Sequence, residues 1–312
     1  MTLIKGDVKT CRELLKEMTA KLMNPEKIVF TGIGDKDVYN ITAPFEDEGE
    51  LVIAGRTELR DSEHSHVYFF VERNGEWVPR ENSPVLELQD PFFTKIAGDL
   101  VLGGVQTFPH PTKEGALGWR TVFYKGTSIN QLKEFSKGPD GMKDLRLIEL
   151  KDGSVGVLTR PQGEKGGRGK IGWTRIASLD ELTIDAIHDA PLLAGQFMDE
   201  EWGGANEPHL LTNGLVGVLG HIASFDQDGN RHYYPMAFAL DPETAEVSDI
   251  RIICARKYFQ PGPAKRPDLV DVVFSGGLVR NVDEGKAVLY AGISDAEAQK
   301  IVIDDPFLPY ER

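Results

Sequence analysis

The sequence predicts an all-β protein, a five-bladed β-propeller preceded by a short N-terminal helix. From Lys27 onward, short β-rich runs are punctuated by Gly, Pro, Asp and Asn, the pattern of strands joined by tight turns. A recurring turn-and-strand segment favours a propeller over a sandwich or a single barrel. The 40% hydrophobic content is enough for a sizeable core in a chain of 312 residues.

The first predicted element is a helix over residues 7–23. Thr10 and Glu13 fit a capping box at its start. Its apolar residues recur at helical spacing and would share one face: Val8, Cys11, Leu14, Leu15, Met18 and Leu22. We interpret it as a packing helix, so that residues 1–26 pack on a catalytic propeller domain spanning residues 27–312.

The repeat consists of a turn glycine followed by an apolar strand that ends in small or polar residues. It occurs five times, at Gly49–Arg56, Gly98–Val105, Gly153–Arg160, Gly214–His221 and Gly285–Gly292. The successive spacings of 49, 55, 61 and 71 residues suit one four-stranded blade each, since propeller repeats run about 40 to 50 residues before insertions. Five repeats predict five blades, and chance similarity among glycine-turn hairpins is the alternative.

The repeat also predicts where polar side chains meet. Residues seven to nine positions on either side of a turn glycine lie near the same end of its hairpin. The polar residues in question are Asn40, Asp90, Asp144 and Glu207 before the turns, Asp271 further back in the last unit, and Arg56, Arg160 and His221 after the turns. We expect them to gather at one mouth of a central channel, because charges recurring in apolar strands are costly unless they are paired or functional.

Asp90 is the candidate proton donor. It stands in the segment LQDPFF, where partial desolvation would raise its pKa and suit it to general acid catalysis. The alternative is that it caps a turn or pairs with an arginine. Glu207 and Asp144 are candidates for a base, for acceptors of sugar hydroxyl groups or for arginine partners, since glycoside transfer needs an acid and hydrolysis needs a second carboxylate.

The basic residues predict an anion site beside this acid. Guanidinium groups of Arg160 and Arg56, with the His221 imidazole, would bind an anion, and phosphate is the obvious small nucleophile. Arginine pairs with carboxylates across blades are the alternative. Among the tryptophans, Trp202 beside two glycines is expected to contact substrate, whereas core packing is expected of Trp77, Trp119 and Trp173.

Composition excludes several classes of protein. The formal charge of −14 argues against a nucleic acid or an anionic membrane as partner. Cys11 and Cys254 are the only cysteines and lack metal-ligand spacing, so we expect no metal site and a reducing compartment. No apolar signal core or membrane span is readable. We therefore expect a cytoplasmic protein, and the oligomeric state stays open, a homo-oligomer included.

Several segments resemble those of a known enzyme family, the β-1,2-mannan mannosyltransferase/phosphorylases of glycosyltransferase family 108. This family is related to the β-mannoside phosphorylases of glycoside hydrolase family 130, and the resemblance spans nearly all of the chain from Lys27. The segments are FTGIGDKDVYNITAPF, AGRTELRDSEHS, Gln89-Asp90-Pro91, Lys143-Asp144, Arg160-Pro161, His221, Tyr234 in HYYPMAFALD, VVFSGGLV from Val272, and LYAGISD ending at Asp295.

The resemblance implies an inverting β-mannoside phosphorylase or mannosyltransferase that needs no cofactor beyond phosphate as co-substrate. Asp90 would be the general acid. Phosphate would be held by Arg160, His221 and Tyr234, and the sugar of an oligosaccharide or of mannose 1-phosphate would be bordered by Asn40, Arg56, Asp144, Asp271 and Asp295. Gln89 and Phe92 depart from the phosphorylase pattern. A hydrolase with Glu207 as base and a non-catalytic carbohydrate-binding propeller are the alternatives.

Overall fold

The computed structural model describes residue 3, residues 5–19 and residues 21–311, except for the side chain of Leu22. Within these residues the chain forms twenty strands and only short helices, which confirms the predicted β class. No helix in this described part is long and apolar enough to cross a membrane.

The N-terminal helix is shorter than predicted. Helix α1 covers only Cys11–Glu17, and the capping box of Thr10 and Glu13 is present. Strand β1 follows at Leu22–Lys27 and pairs with a strand from the other end of the chain. The prediction of helix to residue 23 is therefore wrong, because pairing with a distant strand outweighs the local helical pattern.

Three antiparallel units follow α1 and β1 in the chain. The first unit contains β2 (Asp37–Tyr39), β3 (Phe45–Asp47), β4 (Glu50–Glu58), β5 (His66–Arg73) and β6 (Glu76–Pro79). The second contains β7 (Gln89–Ile96), β8 (Asp99–Pro109), β9 (Leu117–Gly126) and β10 (Lys133–Lys137). The third contains β11 (Arg146–Glu149), β12 (Val155–Thr159) and β13 (Gly172–Ile176). Each unit forms its own sheet.

The remaining strands form two further antiparallel units. The fourth contains β14 (Trp202–Leu210), β15 (Val216–Phe225), β16 (Arg231–Leu240) and β17 (Arg251–Ile252). The fifth contains β18 (Asp271–Asn281), β19 (Lys286–Ile293) and β20 (Glu297–Asp304), with β1 added at its edge. A short parallel pairing of β16 with β18 joins these two units into one eight-stranded sheet.

Short helices occupy the connections between strands. The α-helices are α2 (Gly163–Gly166), α3 (Ile184–Asp189) and α4 (Leu308–Glu311). The 3₁₀ turns cover Ile129–Gln131, Leu179–Glu181, Arg256–Tyr258 and Pro267–Leu269.

The five predicted turn glycines all lie where the sequence places them. Each connects two paired strands, β3 to β4, β7 to β8, β11 to β12, β14 to β15 and β18 to β19. Their φ angles range from 64° at Gly285 to 90° at Gly214, a conformation that residues with a side chain seldom adopt. The repeat therefore marks one hairpin in each unit.

Apolar side chains pack between neighbouring units rather than within one unit. One cluster joins the first and second units through Val52 and Leu102, and the next joins the second and third through Phe123 and Leu147. Further clusters join the third to the fourth and the fourth to the fifth. A smaller one joins the fifth back to the first, where Ala298 meets residues of β2 and β4.

Candidate active site

A small polar cavity of about 160 Å³ collects side chains from all five units. Its lining consists of Asn40, Arg56, Asp90, Lys143, Asp144, Arg160, His221, Arg231, Tyr233, Arg266, Leu269, Val272, Phe274 and Asp295. We call it the inner cavity. Most of the polar residues nominated from the repeat therefore meet, and Asp90 shares one cavity with Arg160 and His221.

Three of these polar residues sit at equivalent positions in the first three units. Asn40, Asp90 and Asp144 each stand eight or nine residues before a turn glycine, and their φ angles are 44°, 48° and 61°. This left-handed conformation costs on the order of 1–3 kcal/mol per residue and concentrates at functional sites, and Asn and Asp adopt it most readily. All three residues line the inner cavity. The recurrence of the same strained backbone conformation marks them as candidate functional residues.

Asp90 is an ionised carboxylate held by two donors. It is 5% exposed, and its Oδ1 accepts hydrogen bonds from Asn40 Nδ2 at 2.8 Å and from Arg56 Nη1 at 3.1 Å. Burial raises its pKa, but the charges of Arg56 and Lys143 and the Asn40 hydrogen bond outweigh burial and lower it overall. The expectation of a raised pKa from desolvation is therefore wrong for the ligand-free site, because the sequence did not show the arginine partner.

Arg56 is itself fixed by a buried ionic network. Its Nε donates to Ser65 Oγ at 3.0 Å, and its Nη2 lies 3.1 Å from Glu58 Oε2. Glu58 in turn contacts the Lys265 ammonium group and the Tyr39 hydroxyl. These contacts hold the guanidinium against Asp90, so the low proton affinity of Asp90 depends on residues as distant in sequence as Lys265.

Arg160 and Asp144 form a second ion pair in the lining of the inner cavity. Arg160 Nε donates to Gly203 O at 2.7 Å and lies 3.4 Å from Asp144 Oδ2. Its Nη1 atom is buried and has no hydrogen-bond partner. Burial raises the pKa of Asp144, but Arg160, Lys143 and other basic neighbours bring it down to about 2. An unsatisfied guanidinium donor in a cavity is expected to bind an anion or a polar ligand.

His221 is neutral rather than cationic. Burial lowers its pKa to about 3, although the Asp144 carboxylate opposes this shift. The Nδ1 atom lies 2.8 Å from Asn206 Oδ1, and because an amide oxygen only accepts, Nδ1 carries the proton and Nε2 is an acceptor. The positive charge near the anion position therefore belongs to Arg160 and Lys143, and His221 can accept a hydrogen bond from a protonated oxygen.

Four nominated residues lie outside the lining of the inner cavity, namely Trp202, Glu207, Tyr234 and Asp271. Glu207 Oε2 accepts a hydrogen bond from Leu278 N at 2.7 Å, and a β-bulge between Ala205 and Glu207 turns Asn206 toward His221 instead.

The Tyr234 hydroxyl donates a hydrogen bond to Asp271 Oδ2 at 2.9 Å. Side chains alternate along a strand, so Tyr233 lines the cavity and Tyr234 packs with the core.

A larger cavity of about 460 Å³ adjoins the inner one, and we call it the outer cavity. It is lined by Glu63, Gln89, Val105, Thr107, Leu117, Trp119, Lys143, Arg160, Gln162, Arg168, Trp202, Phe225 and Tyr233. Lys143, Arg160 and Tyr233 line both cavities.

Two tryptophans line this outer cavity. Trp202 was expected to contact substrate, and its Nε1 donates to Tyr233 OH at 3.0 Å. Trp119, expected in the core, also lines the cavity, whereas Trp173 is buried in the core as expected. Trp202 is buried against Phe225 and Tyr233, and Trp119 is half-buried. Aromatic side chains in the lining of a pocket of this size are typical of a site for a small ligand.

Comparison with known proteins places the chain in a family. The model of the family described as "Protein of unknown function (DUF1861)" matches residues 15–309. The chain belongs to the DUF1861 family. No curated protein sequence matches this DUF1861 protein significantly.

Solved structures confirm the resemblance expected from the motifs. A mannose phosphorylase from Leishmania mexicana, solved with a phosphate ion, is 32% identical with a TM-score of 0.87, over 97% of this chain and 94% of that chain. A GDP-Man-dependent mannosyltransferase from the same organism is 32% identical with a TM-score of 0.85, over 96% and 95%. A β-1,2-mannobiose phosphorylase from Listeria innocua is 14% identical with a TM-score of 0.63, over 93% and 99%, and shares the fold.

Several residues of the site in this DUF1861 protein were not nominated from the sequence. Lys143, Arg231 and Arg266 line the inner cavity, and Asn206 contacts His221 behind it. Lys143 precedes Asp144 in one of the segments that resemble the known family, so its position in the site could have been predicted from the sequence. Asn206 stands eight residues before its turn glycine, the position that Asn40, Asp90 and Asp144 share, and the repeat could have found it. Arg231 and Arg266 carry no such signal, because they approach the cavity from outside the repeated hairpins. Among the described residues no group of three or more potential metal ligands is found.

Proposed function

We propose that this DUF1861 protein is an inverting β-mannoside phosphorylase or mannosyltransferase built on a closed five-bladed β-propeller. The observation that carries the proposal is a single cavity whose lining contains both the carboxylate of Asp90 and Arg160, whose Nη1 atom has no hydrogen-bond partner. A sugar between the two would have a proton-exchanging group on one side and an anion on the other. Inversion at the anomeric carbon requires that the nucleophile and the leaving oxygen lie on opposite faces of the sugar.

Two features of the packing support ring closure. Apolar clusters join each unit to the next and the fifth unit to the first. In addition, β1 from the start of the chain pairs with β20 near its end. A closed ring removes exposed sheet edges and brings the first strand of every blade to a common axis, which is where the inner cavity would then lie.

Asp90 would exchange the proton of the bridging oxygen, directly or through a sugar hydroxyl. As an ionised group it is ready to accept the proton of an acceptor hydroxyl when mannose is transferred to that acceptor. In phosphorolysis the same step runs backward, and the protonated carboxyl donates to the leaving oxygen. Because monohydrogen phosphate is already nucleophilic, the attack on the anomeric carbon needs no catalytic base.

Arg160, Lys143 and His221 would hold the phosphate, which is a co-substrate rather than a cofactor. Arg160 Nη1 has no partner in the protein, Lys143 supplies a second positive charge, and His221 Nε2 would accept a hydrogen bond from the protonated phosphate oxygen. The similar mannose phosphorylase was solved with a phosphate ion, which supports an anion site in this fold. The phosphate of mannose 1-phosphate would occupy the same position in the reverse reaction.

The donor mannose would be bordered by Asn40, Arg56, Asp144 and Asp295, and the rest of the oligosaccharide would extend into the outer cavity. Trp119 and Trp202 are among its lining residues. Since the outer cavity shares Lys143 and Arg160 with the inner one, a nucleotide-activated mannose would also meet positive charge at its phosphates. The similar GDP-Man-dependent mannosyltransferase makes this second donor worth testing.

The hydrolase alternative is disfavoured by the position of Glu207. Hydrolysis would need a carboxylate near the attacking water, but Glu207 accepts a hydrogen bond from Leu278 N and does not line the inner cavity. The remaining carboxylates of the lining are Asp144, which lies 3.4 Å from Arg160, and Asp295. The product assay below decides whether either of them activates water.

The test is to incubate the protein with β-1,2-mannobiose and other β-mannobioses in the presence of phosphate and to follow mannose 1-phosphate. We expect mannose 1-phosphate to form with phosphate and not without it, and Asp90→Asn to lower kcat on the order of 10²- to 10⁴-fold. Asp180→Asn, the same chemical change at an exposed position, is the matched control. Free mannose as the product would indicate a hydrolase, and sugar binding without turnover of any donor would indicate a carbohydrate-binding protein.

A further inference from the structure

The inner cavity contains a third carboxyl group whose surroundings differ from those of the other two. Asp90 has Arg56 at 3.1 Å, and Asp144 has Arg160 at 3.4 Å. Asp295 lines the same cavity, yet in the described part of the chain no basic nitrogen lies within 4.0 Å of it, and it has no side-chain hydrogen bond. An ionised carboxylate in such a place would be poorly compensated.

The turn that carries Asp295 is anchored on both sides. Ser294 and Asp295 have φ angles of 53° and 50°, so two consecutive residues adopt the left-handed conformation directly after β19. Ser294 N donates to Val272 O at 2.8 Å, and Ser294 Oγ donates to Val270 O at 2.8 Å and accepts from Arg256 Nε at 3.2 Å. This anchoring fixes the backbone of the turn that places the half-buried Asp295 in the lining of the cavity.

The charges that face Asp295 come from four parts of the chain. They are Arg56 from the first unit, Asp90 from the second, Lys143 before β11, and Lys265 and Arg266 before β18. The Tyr39 hydroxyl of the first unit is a neutral neighbour, because burial raises its pKa. Burial is the largest influence and raises the pKa of Asp295. The negative charge of Asp90 raises it further, and Arg56, Lys265 and Lys143 offset only part of the rise. Arg56 and Lys265 are already paired with other carboxylates.

We infer that Asp90 and Asp295 hold one proton between them in the ligand-free cavity, and that Asp295 carries it as a neutral carboxylic acid. Two carboxyl groups in one small cavity favour a single shared proton, as in other carboxyl pairs. The group with the arginine and amide donors keeps the negative charge, and the group without a cation keeps the proton.

The catalytic consequence rests on the proposed function. In phosphorolysis the bond from the anomeric carbon to the leaving oxygen breaks, and a bond from that carbon to a phosphate oxygen forms. The proton of the pair ends on the leaving oxygen, which leaves both carboxyl groups ionised. The pair then regains a proton from solvent or from the phosphate. Asp295 thus supplies the proton that an ionised Asp90 lacks.

The protonation state can be measured without any assay of activity. Infrared spectra of ligand-free wild type and Asp295→Asn at pH 7 are subtracted, and we expect a protonated carboxyl C=O band in wild type that is absent from the variant. Asp90→Asn is the second variant, in which this band should disappear at a pH lower by about one unit because the neighbouring charge is gone. No band at pH 7, or no shift in Asp90→Asn, would overturn the inference whether or not the protein acts on mannosides.

Kinetics provide the second readout. For wild type, kcat/KM for phosphorolysis should fall at the pH where the pair loses its proton, and in Asp295→Asn this alkaline limb should move down by about one pH unit or more. A role for Asp295 in sugar positioning alone would lower activity equally at every pH. A uniform loss without a shift of the limb would therefore overturn the inference while leaving the proposed function intact.

Discussion

Replacing Arg56 by methionine removes the charge that holds Asp90 in its ionised form while keeping most of the side-chain length. In the wild-type structure the guanidinium contacts Asp90, Glu58 and Ser65, and its side chain is only 7% exposed. Glu58 keeps Lys265 and Tyr39 as partners after the replacement. Asp90 keeps only the Asn40 hydrogen bond and the more distant charge of Lys143.

The size of the effect follows from leaving a buried carboxylate without its main partner. Breaking a buried ion pair by removing one member typically costs about 3–5 kcal/mol. For a chain of this size that loss corresponds to a Tm lower by about 5–10 °C. The double variant Arg56→Met/Asp90→Asn removes the stranded charge as well. We therefore expect it to be more stable than Arg56→Met alone, with a coupling energy of about 1–3 kcal/mol.

The pH dependence has a definite sign. In wild type the pKa of Asp90 is lowered by folding, so its contribution to stability is present above the unfolded pKa of about 3.9 and is lost as pH falls through the folded pKa. In Arg56→Met the folded pKa of Asp90 rises above that of the unfolded chain, because burial is no longer offset. The resulting destabilisation is full at neutral pH and disappears as Asp90 becomes protonated.

The assay is thermal unfolding of wild type, both single variants and the double variant between pH 4 and pH 7. The Tm difference between wild type and Arg56→Met should shrink as the pH is lowered, and the double variant should show little of this dependence. If Arg56→Met loses the same stability at every pH, or if adding Asp90→Asn destabilises it further, then Arg56 does not stabilise the charge of Asp90.

Two further predictions concern the anion site. Arg160→Lys removes the unpartnered Nη1 and the planar fork of the guanidinium. The KM for phosphate should therefore rise on the order of 10-fold or more, with a smaller change in the KM for the sugar. A rise in the KM for the sugar alone would show that Arg160 does not bind phosphate. In Gly169→Ala a Cβ would lie 2.6 Å from Arg160 Nη2 at a φ of 139°, so phosphate affinity in initial-rate measurements should fall several-fold. Gly229→Ala is the matched control, since its φ is 82° and its Cβ would meet nothing within 4 Å; an equal change of phosphate affinity in both variants would show that the effect is not local to Arg160.

The spacing of the turn glycines was sufficient to predict the hairpins and much of the inner cavity. A strand has a side-chain period of two and a tight turn needs a residue tolerant of positive φ, so both signals are local and are written in short stretches of sequence. Asn40, Arg56, Asp90, Asp144, Arg160 and His221 were accordingly found from their distance to a glycine, and the β-rich pattern identified the fold class.

Predictions that assumed unbroken strand alternation or an unbroken helix were less accurate. The bulge of β14 turns Asn206 rather than Glu207 toward His221. Tyr234, nominated from the family resemblance, donates a hydrogen bond to Asp271, and its neighbour Tyr233 lines the cavity. Similarly, β1 replaces the end of the predicted helix because its residues pair with the edge strand β20. For β1 the deciding contact comes from a segment far away in the chain, near its other end.

The sequence by itself thus determined the β class, the hairpin repeat and the identity of most groups that meet in the inner cavity, because these depend on local patterns. Only the tertiary structure decided the charge that each group carries. Asp90 is ionised because Arg56 is held against it, His221 is neutral because it is buried, and Asp295 lacks a cation of its own. A side chain's affinity for protons depends on burial and on neighbouring charges, and those neighbours are brought together by folding.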